Sequence, residues 1–321
     1  MSLHIIVIYC FFYNYDTLKP KIETVTVIGV FALRTVEERL KRYEPLWENW
    51  TYTGEFLGEG TMSSVFEIQS TAMGMKELAA LKIITVKRNP LGKFEIPKNA
   101  LNEIKILRDL SGCPNIVHYH DSTQRRIYDS NHVLEAIDIL IKMEKLKSLS
   151  EDEKLTEDQI IKLGKDMCNA LIHAEEHNII HRDIKPQNIF VDKEGTYKLG
   201  DFGIAKIVSG MSQHYTMNIG TLAYTAPEVQ RSITGVYDIA SDIYSLGLVL
   251  YVFLNNGCLP FINTSASLHD AISKRLTGSK FPEINRILRW TLLLFLEITE
   301  NFTQTDTAFI TVIAAVSTVL L

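Results

Sequence analysis

The segment IIHRDIKPQNIFVD, residues 179–192, sets an Asp, a Lys and an Asn in fixed order between two short apolar runs. It brings three kinds of chemistry to one short stretch of chain. An Asp accepts a proton from a hydroxyl, a Lys neutralises a developing anion, and an Asn carbonyl oxygen ligates a hard cation such as magnesium. Asp183, Lys185 and Asn188 offer all three. Downstream, KLGDFGIAK follows a short strand pattern ending at Leu199 with Asp201, Phe202 and Gly203. A carboxylate at Asp201 beside Asn188 would complete a site for magnesium and phosphate.

Upstream, FLGEGTMSSVFEI places Gly58 and Gly60 in a turn between two strand-like runs, where backbone without side chains can approach phosphates closely. AALKII then puts Lys82 on a strand, and Glu103 on the next helix is a partner for its charge. Taken singly, each feature has a plainer reading: a hairpin turn for the glycines, a solvated surface pair for Lys82 and Glu103. Their joint order is what carries the argument.

Elements follow from periodicity. Trp47 to about Ala80 alternates apolar and polar residues with Gly between, predicting a hairpin and a following strand. NALNEIKILRDL, residues 99–110, carries Leu101, Ile104, Leu107 and Leu110 at helical spacing. Thr156 and Gln159 form a capping-box start for a helix running through Ala174, and SDIYSLGLVLYVFL is apolar nearly all round, the pattern of a buried helix. Before Pro45 the composition differs: an apolar start, a β-branched run, then the helical RTVEERLKRYE, to which no chemistry is assigned.

Composition narrows the function classes. The chain has 321 residues, 46% hydrophobic and 22% charged, as expected of a globular protein rather than a disordered one. With 33 Lys and Arg against 38 Asp and Glu, a formal charge of −5 gives no reason to expect a nucleic-acid partner. Cys10, Cys113, Cys168 and Cys258 are widely spaced without a CxxC pair, so neither zinc nor a disulfide framework is indicated, and a reducing compartment fits. Two apolar segments, Leu3–Tyr13 and Ala308–Leu321, are shorter than the roughly 20 residues of a spanning helix, so membrane attachment is the less favoured reading. No feature reports an oligomeric state.

LGEGTMSSV, AALK, NEIKIL, HRDIKPQN, DFG and GTLAYTAPE stand in the order and approximate spacing of the protein-kinase signature set. The chain therefore resembles a protein kinase over about Trp47–Gly278. The resemblance implies an α+β, two-lobed fold: a small β-rich lobe over 46–144 and a larger, mainly helical lobe over 145–282, with residues 1–45 as an extension. ATP would lie between the lobes. It further implies that Asp183 orients the substrate hydroxyl and accepts its proton, that Asn188 and Asp201 hold Mg2+, that Lys82, paired with Glu103, grips the phosphates, and that Lys185 balances charge on the transferred group. Adenine would lie between Leu57, Val65 and Ala80 above and Phe190 below. Met143 would stand at the entrance of the connection between lobes, with Glu144 to Leu146 offering backbone hydrogen bonds.

Lys185, two residues after the catalytic Asp, and Thr221 in GTLAYTAPE resemble kinases acting on Ser and Thr of protein substrates, in the cytoplasm where ATP is found. Arg182 resembles the arginine that pairs with an activation-segment phosphate, with Thr216 as first candidate site, Ser209 and Ser212 behind it, and Thr221 as a structural, substrate-side hydroxyl. His181 reads as a core histidine, and Asp242 as a holder of the catalytic loop's backbone.

Two departures stand out. Ser63 replaces the third glycine of the loop, for which a modest effect on nucleotide affinity is expected. After about Pro282 the chain turns apolar, and the late arginine that would pair with Glu228 of APE is not evident, leaving Arg286 or Arg289 as substitutes. The 283–321 segment reads as divergent helices, a membrane attachment or a stretch unrelated to the fold. A damaged large lobe would make the chain a nucleotide-binding pseudokinase or scaffold, the alternative to a working enzyme. A small-molecule phosphotransferase shares the Asp and Asn logic but leaves APE and Lys185 unexplained.

Overall fold

Strands that alternate apolar residues on both faces need cover on both sides. ELAALKIITVK, residues 77–87, puts Ala79, Leu81 and Ile83 on one face and Ala80, Ile84 and Val86 on the other, all buried. In the computed structural model this strand is central. The structure describes residues 12–13, 20–21, 29–60, 63–88, 93–128, 132–203, 205–207, 222–231, 239–265, 267–277 and 279.

After a two-residue pair, β1 (Phe12–Tyr13) with β2 (Pro20–Lys21), comes helix α1 (Gly29–Tyr43). A five-stranded antiparallel sheet follows, built from β3 (Trp50–Glu59), β4 (Ser63–Ser70), β5 (Glu77–Lys87), β6 (Tyr119–Tyr128) and β7 (Leu134–Glu144) in the order β3-β4-β5-β7-β6. Helix α2 (Lys98–Asp109) leaves the sheet after β5 and buries Ala100, Glu103, Ile106 and Leu107 in the core that Ile84, Val86, Ile139 and Ile141 share.

The stretch before Pro45, set apart by composition, is joined to the other face of this sheet. Val36 and Leu40 of α1 pack with Leu46, Trp50, Phe66, Ile68, Leu81, Ile83 and Leu140. A polar contact fixes the helix over the strands. Arg39 donates from Nε to Asp138 Oδ2 at 2.9 Å and from Nη2 to Oδ1 at 3.2 Å, while Thr85 and Tyr43 hydroxyls also donate to the carboxylate at 2.7 and 3.1 Å. Asp138 is fully buried. Removing the arginine strands that charge, at a cost of about 3 kcal/mol. Arg39→Ala is therefore expected to lower the melting temperature by about 6–12 °C in a thermal scan, and an unchanged midpoint would show that α1 is not part of the cooperative unit.

Beyond the sheet the chain is mainly helical. Helix α3 (Glu157–Glu176) begins with the capping box: Thr156 Oγ1 accepts from Gln159 N at 3.3 Å, and the Gln159 side chain accepts from Thr156 N at 2.8 Å. Short strands β8 (Lys147–Ser148), β10 (Ile189–Val191) and β11 (Tyr197–Leu199) make one small antiparallel sheet; β9 (Ile179–Ile180) pairs with β12 (Lys206–Ile207). Helices α4 (Pro227–Arg231), α5 (Ile239–Leu254) and α6 (Leu268–Leu276) follow. Every residue of α5 from Ser241 to Leu254 is buried, as its all-round apolar pattern requires. A small β-rich part and a mainly helical one give the α+β, two-lobed architecture.

Among the described residues no helix is long and apolar enough to cross a membrane. Cys113, Cys168 and Cys258 are free thiols; Cys168 is buried in α3, and burial pushes its thiol up to about 12. Cys10, the apolar Leu3–Phe11 and everything after residue 279 lie outside the described residues.

Candidate active site

The two apolar runs that bracket HRDIKPQN are β9 and β10, so residues 181–188 form a loop held at both ends by strand pairing. Buried Asp242, from α5, supports its backbone: Oδ2 accepts from His181 N at 2.6 Å and Oδ1 from Arg182 N at 2.7 Å. These bonds hold Arg182 at φ 71°, a left-handed conformation that costs a residue of this type about 1–3 kcal/mol. Burial pushes the Asp242 carboxyl above the ordinary range, against the pull of His181 and the two N–H donors. His181 is fully buried, with its Nε2 2.9 Å from Gly200 O and its ring edge-on to Phe202, as befits a core histidine.

Within this loop Asp183, Lys185 and Asn188 meet. Asp183 Oδ2 accepts from Lys185 Nζ at 2.7 Å and from Asn188 Nδ2 at 2.9 Å, and Asn188 Nδ2 also reaches Asp183 O at 2.7 Å. Asp183 Oδ1 is buried and has no hydrogen-bond partner. A carboxylate with one oxygen clamped and the other idle is ready to accept from a hydroxyl that arrives from outside.

A second cluster joins the sheet to the residue after β11. Lys82 Nζ, on the inner face of β5, donates to Glu103 Oε1 of α2 at 2.6 Å and to Asp201 Oδ1 at 2.7 Å. Glu103 and Asp201 flank the same ammonium, yet their proton affinities move in opposite directions. Burial pushes the Glu103 carboxyl up despite Lys82. At Asp201 burial acts the same way, but the Lys82 ammonium outweighs it and holds the carboxyl below its usual range. For Lys82 burial opposes the charge, and the two carboxylates reverse that and raise its pKa. Asp201 itself sits at φ 56°, and a Cβ on Gly203 would stand 3.2 Å from its Oδ1.

The remaining expected residues fall on the strands and the link that flank these clusters. Val65 pairs directly with Lys82 and with Gly58, and Ala80 with Met143. Leu57, Val65, Met143, Leu146 and Phe190 are half-buried, and Ala80 is buried. A Cβ on Gly58 would meet nothing within 4 Å, so space above the cleft is open there. The Gly60 amide donates to Ser63 O at 2.7 Å, so the ends of the two strands meet despite the serine. One expectation is narrowed: the Glu144 N–H donates to His118 O at 3.0 Å, so this residue's backbone offers a base its carbonyl alone.

Two charge clusters, one on a short loop and one spanning strand, helix and second loop, are brought together where the Gly200 N–H donates to Asn188 O at 2.9 Å. A protein kinase domain model matches residues 52–309, taking in both clusters and running past the Gly278 at which the sequence motifs end. The chain belongs to the protein kinase family. It is 35% identical over 213 residues to serine/threonine-protein kinase 36 of Pongo abelii, covering 66% of this chain and 15% of that protein. Over 203 residues it is 32% identical to the cell cycle serine/threonine-protein kinase CDC5/MSD2 of Saccharomyces cerevisiae, covering 63% and 27%. To CBL-interacting serine/threonine-protein kinase 15 of Arabidopsis thaliana it is 32% identical over 235 residues, covering 71% and 52%. The chain thus matches only a minor part of the first two relatives.

Of the expected kinase residues, Ser209, Ser212, Thr216 and Thr221 lie outside the described residues, as do Arg286 and Arg289. Glu228 is not left bare by the missing late arginine: Ser241 Oγ donates to its Oε1 at 3.1 Å. Sequence reasoning missed two groups around the kinase cleft. Lys198 reaches both oxygens of Glu144 at 2.9 and 2.8 Å, and Glu151 Oε1 accepts from Gln187 Nε2 and from Tyr224 OH, each at 2.9 Å. Both join residues more than thirty apart, and no local pattern marks such pairs.

Proposed function

We propose that this kinase transfers the γ-phosphoryl group of ATP, bound with Mg2+, to Ser or Thr hydroxyls of protein substrates. The observation that carries the reading is the idle, buried Oδ1 of Asp183 beside an oxygen already clamped by Lys185 and Asn188. The substrate hydroxyl donates to Oδ1, loses its proton there, and its oxygen bonds to the γ-phosphorus as the bond from that phosphorus to the bridging oxygen of ADP breaks. Lys185 balances the negative charge spread over the transferred group, and Lys82, kept cationic by Glu103 and Asp201, orients the phosphates. The donor set suits a hard cation: the Asp201 carboxylate, partly exposed and held ionised by Lys82, and the amide oxygen of Asn188. Bound there, magnesium would neutralise phosphate charge. Leu57, Val65, Ala80 and Met143 form the base's roof and back wall, with Phe190 as its floor.

Acceptance of Ser and Thr rests on Lys185 and on the similarity to serine/threonine-protein kinases. We place the kinase in the cytoplasm because ATP is there. The test is transfer of labelled phosphate from ATP to the kinase itself and to a basic protein, with magnesium or with a chelator. Transfer that requires magnesium and is lost in Asp201→Ala is expected. A folded wild-type protein that binds ATP but transfers nothing would instead be a pseudokinase, and transfer to sugars alone would make it a small-molecule enzyme.

A further inference from the structure

The segment that joins the two lobes, residues 145–148, grips the roof of the cleft with one side chain and the floor with its backbone. On the roof side, alternation along β4 turns Val65 and Glu67 to the same face, opposite Lys82 and Ala80 of β5. Glu67 therefore sits in the row of roof residues that faces the cleft. The ammonium of Lys145, the first residue after β7, hydrogen-bonds Glu67 Oε2 and stands 3.7 Å from Glu55 Oε2 on β3. The Thr53 hydroxyl donates to Glu67 O at 3.2 Å, tying β3 and β4 together at the same point. On the floor side, β8 pairs with β10, Ser148 opposite Phe190 and Lys147 opposite Val191. One residue of chain, Leu146, thus separates the roof contact from the floor contact.

We infer that Lys145 is a positioning residue that sets the height of the nucleotide cleft, acting as a strut between the glycine-bearing strands and the connection between lobes. This rests on the reading of the cleft as an ATP site. An ordinary surface pair would leave both partners in water, where its effect is small. Here the Glu67 side chain is 8% exposed, and its bond to Lys145 holds the carboxyl below the usual range. A buried carboxylate does not drift from its cation without losing a charge-assisted bond. The strands that carry Leu57, Gly58 and Val65 are consequently tethered at one end. Without the tether, the roof residues sample heights that no longer match a planar base stacked on Phe190, and binding must select the competent height from that spread.

The test measures the affinity of a non-hydrolysable ATP analogue with magnesium by calorimetry, together with steady-state transfer, in wild type, Lys145→Met, Lys145→Arg and Glu67→Gln. Lys145→Met and Glu67→Gln are expected to weaken nucleotide binding and raise KM for ATP by about three- to tenfold, with kcat at saturating ATP and KM for the protein substrate within about twofold of wild type. Lys145→Arg keeps the cation and should restore most of the affinity. Assays run well below each variant's thermal midpoint separate the effect from unfolding, since Lys145→Met strands the buried Glu67 carboxylate and lowers that midpoint. Wild-type binding matched by both Lys145→Met and Glu67→Gln overturns the strut alone. No binding of nucleotide by the folded wild type overturns the kinase reading and the strut's role with it.

Discussion

Asp183→Asn is expected to lower kcat for phosphate transfer by about a thousandfold while leaving the affinity for ATP within about twofold. The substitution keeps size and shape and changes only what the two oxygens do. In wild type Oδ2 is fixed by Lys185 and Asn188, which leaves Oδ1 to receive the substrate proton. An amide cannot take up that proton. It also brings its own N–H donors against Lys185 Nζ and Asn188 Nδ2, so one of its two ends is mismatched whichever way it turns. Nothing in this change touches Lys82, Glu103 or the roof of the cleft, which is why binding should survive. Single-turnover transfer and calorimetry on the same preparation separate the two quantities. Transfer above a tenth of the wild-type rate would remove Asp183 from the role proposed for it.

Asp242→Leu is expected to act on stability and on rate together. The carboxylate is buried in α5 and meets the backbone N–H groups of His181 and Arg182. Leucine leaves both donors buried without an acceptor, at a cost of about 3 kcal/mol, or roughly 6–12 °C in melting temperature for a domain this size. The same two bonds hold Arg182 at φ 71° one residue before Asp183. Released, that residue relaxes toward negative φ and shifts the Asp183 carboxylate that follows it in the chain. A hundredfold or greater loss of kcat, about what misplacing a reacting group by 1 Å costs, is therefore expected in protein assayed well below its melting temperature. A destabilised variant with wild-type kcat would show that Asp242 serves the fold alone.

These two residues mark how far the sequence could be read. Asp183, Lys185 and Asn188 lie within six residues of one another, and their mutual contacts are a property of one loop. The capping box at Thr156 and Gln159 is equally local and appears where the pattern placed it. Contacts across long stretches of chain are a different matter. The helix before Pro45 looked like a separate extension because its residues repeat at helical spacing without reference to the strands they cover; Arg39 finds Asp138 only because the sheet brings β5 and β7 under α1. Lys145 was one more charge in a link between lobes until the alternation of β4 put Glu67 beside it. The Ser241 hydroxyl that donates to Glu228 likewise comes from another helix, and no local pattern announced it.

What the sequence determined by itself was the set of groups to which the proposed reaction is assigned and their order along the chain: Asp183, Lys82, Asn188 and Asp201, and the Gly58–Gly60 pair. Such groups are specified by residue type and short spacing, which chemistry reads directly. The tertiary structure alone decided which charge each group faces, which oxygen of Asp183 stays idle, and how the cleft's roof is tied to its floor. Those depend on distances between segments up to 119 residues apart, as for Lys82 and Asp201, and only packing of the whole chain sets them.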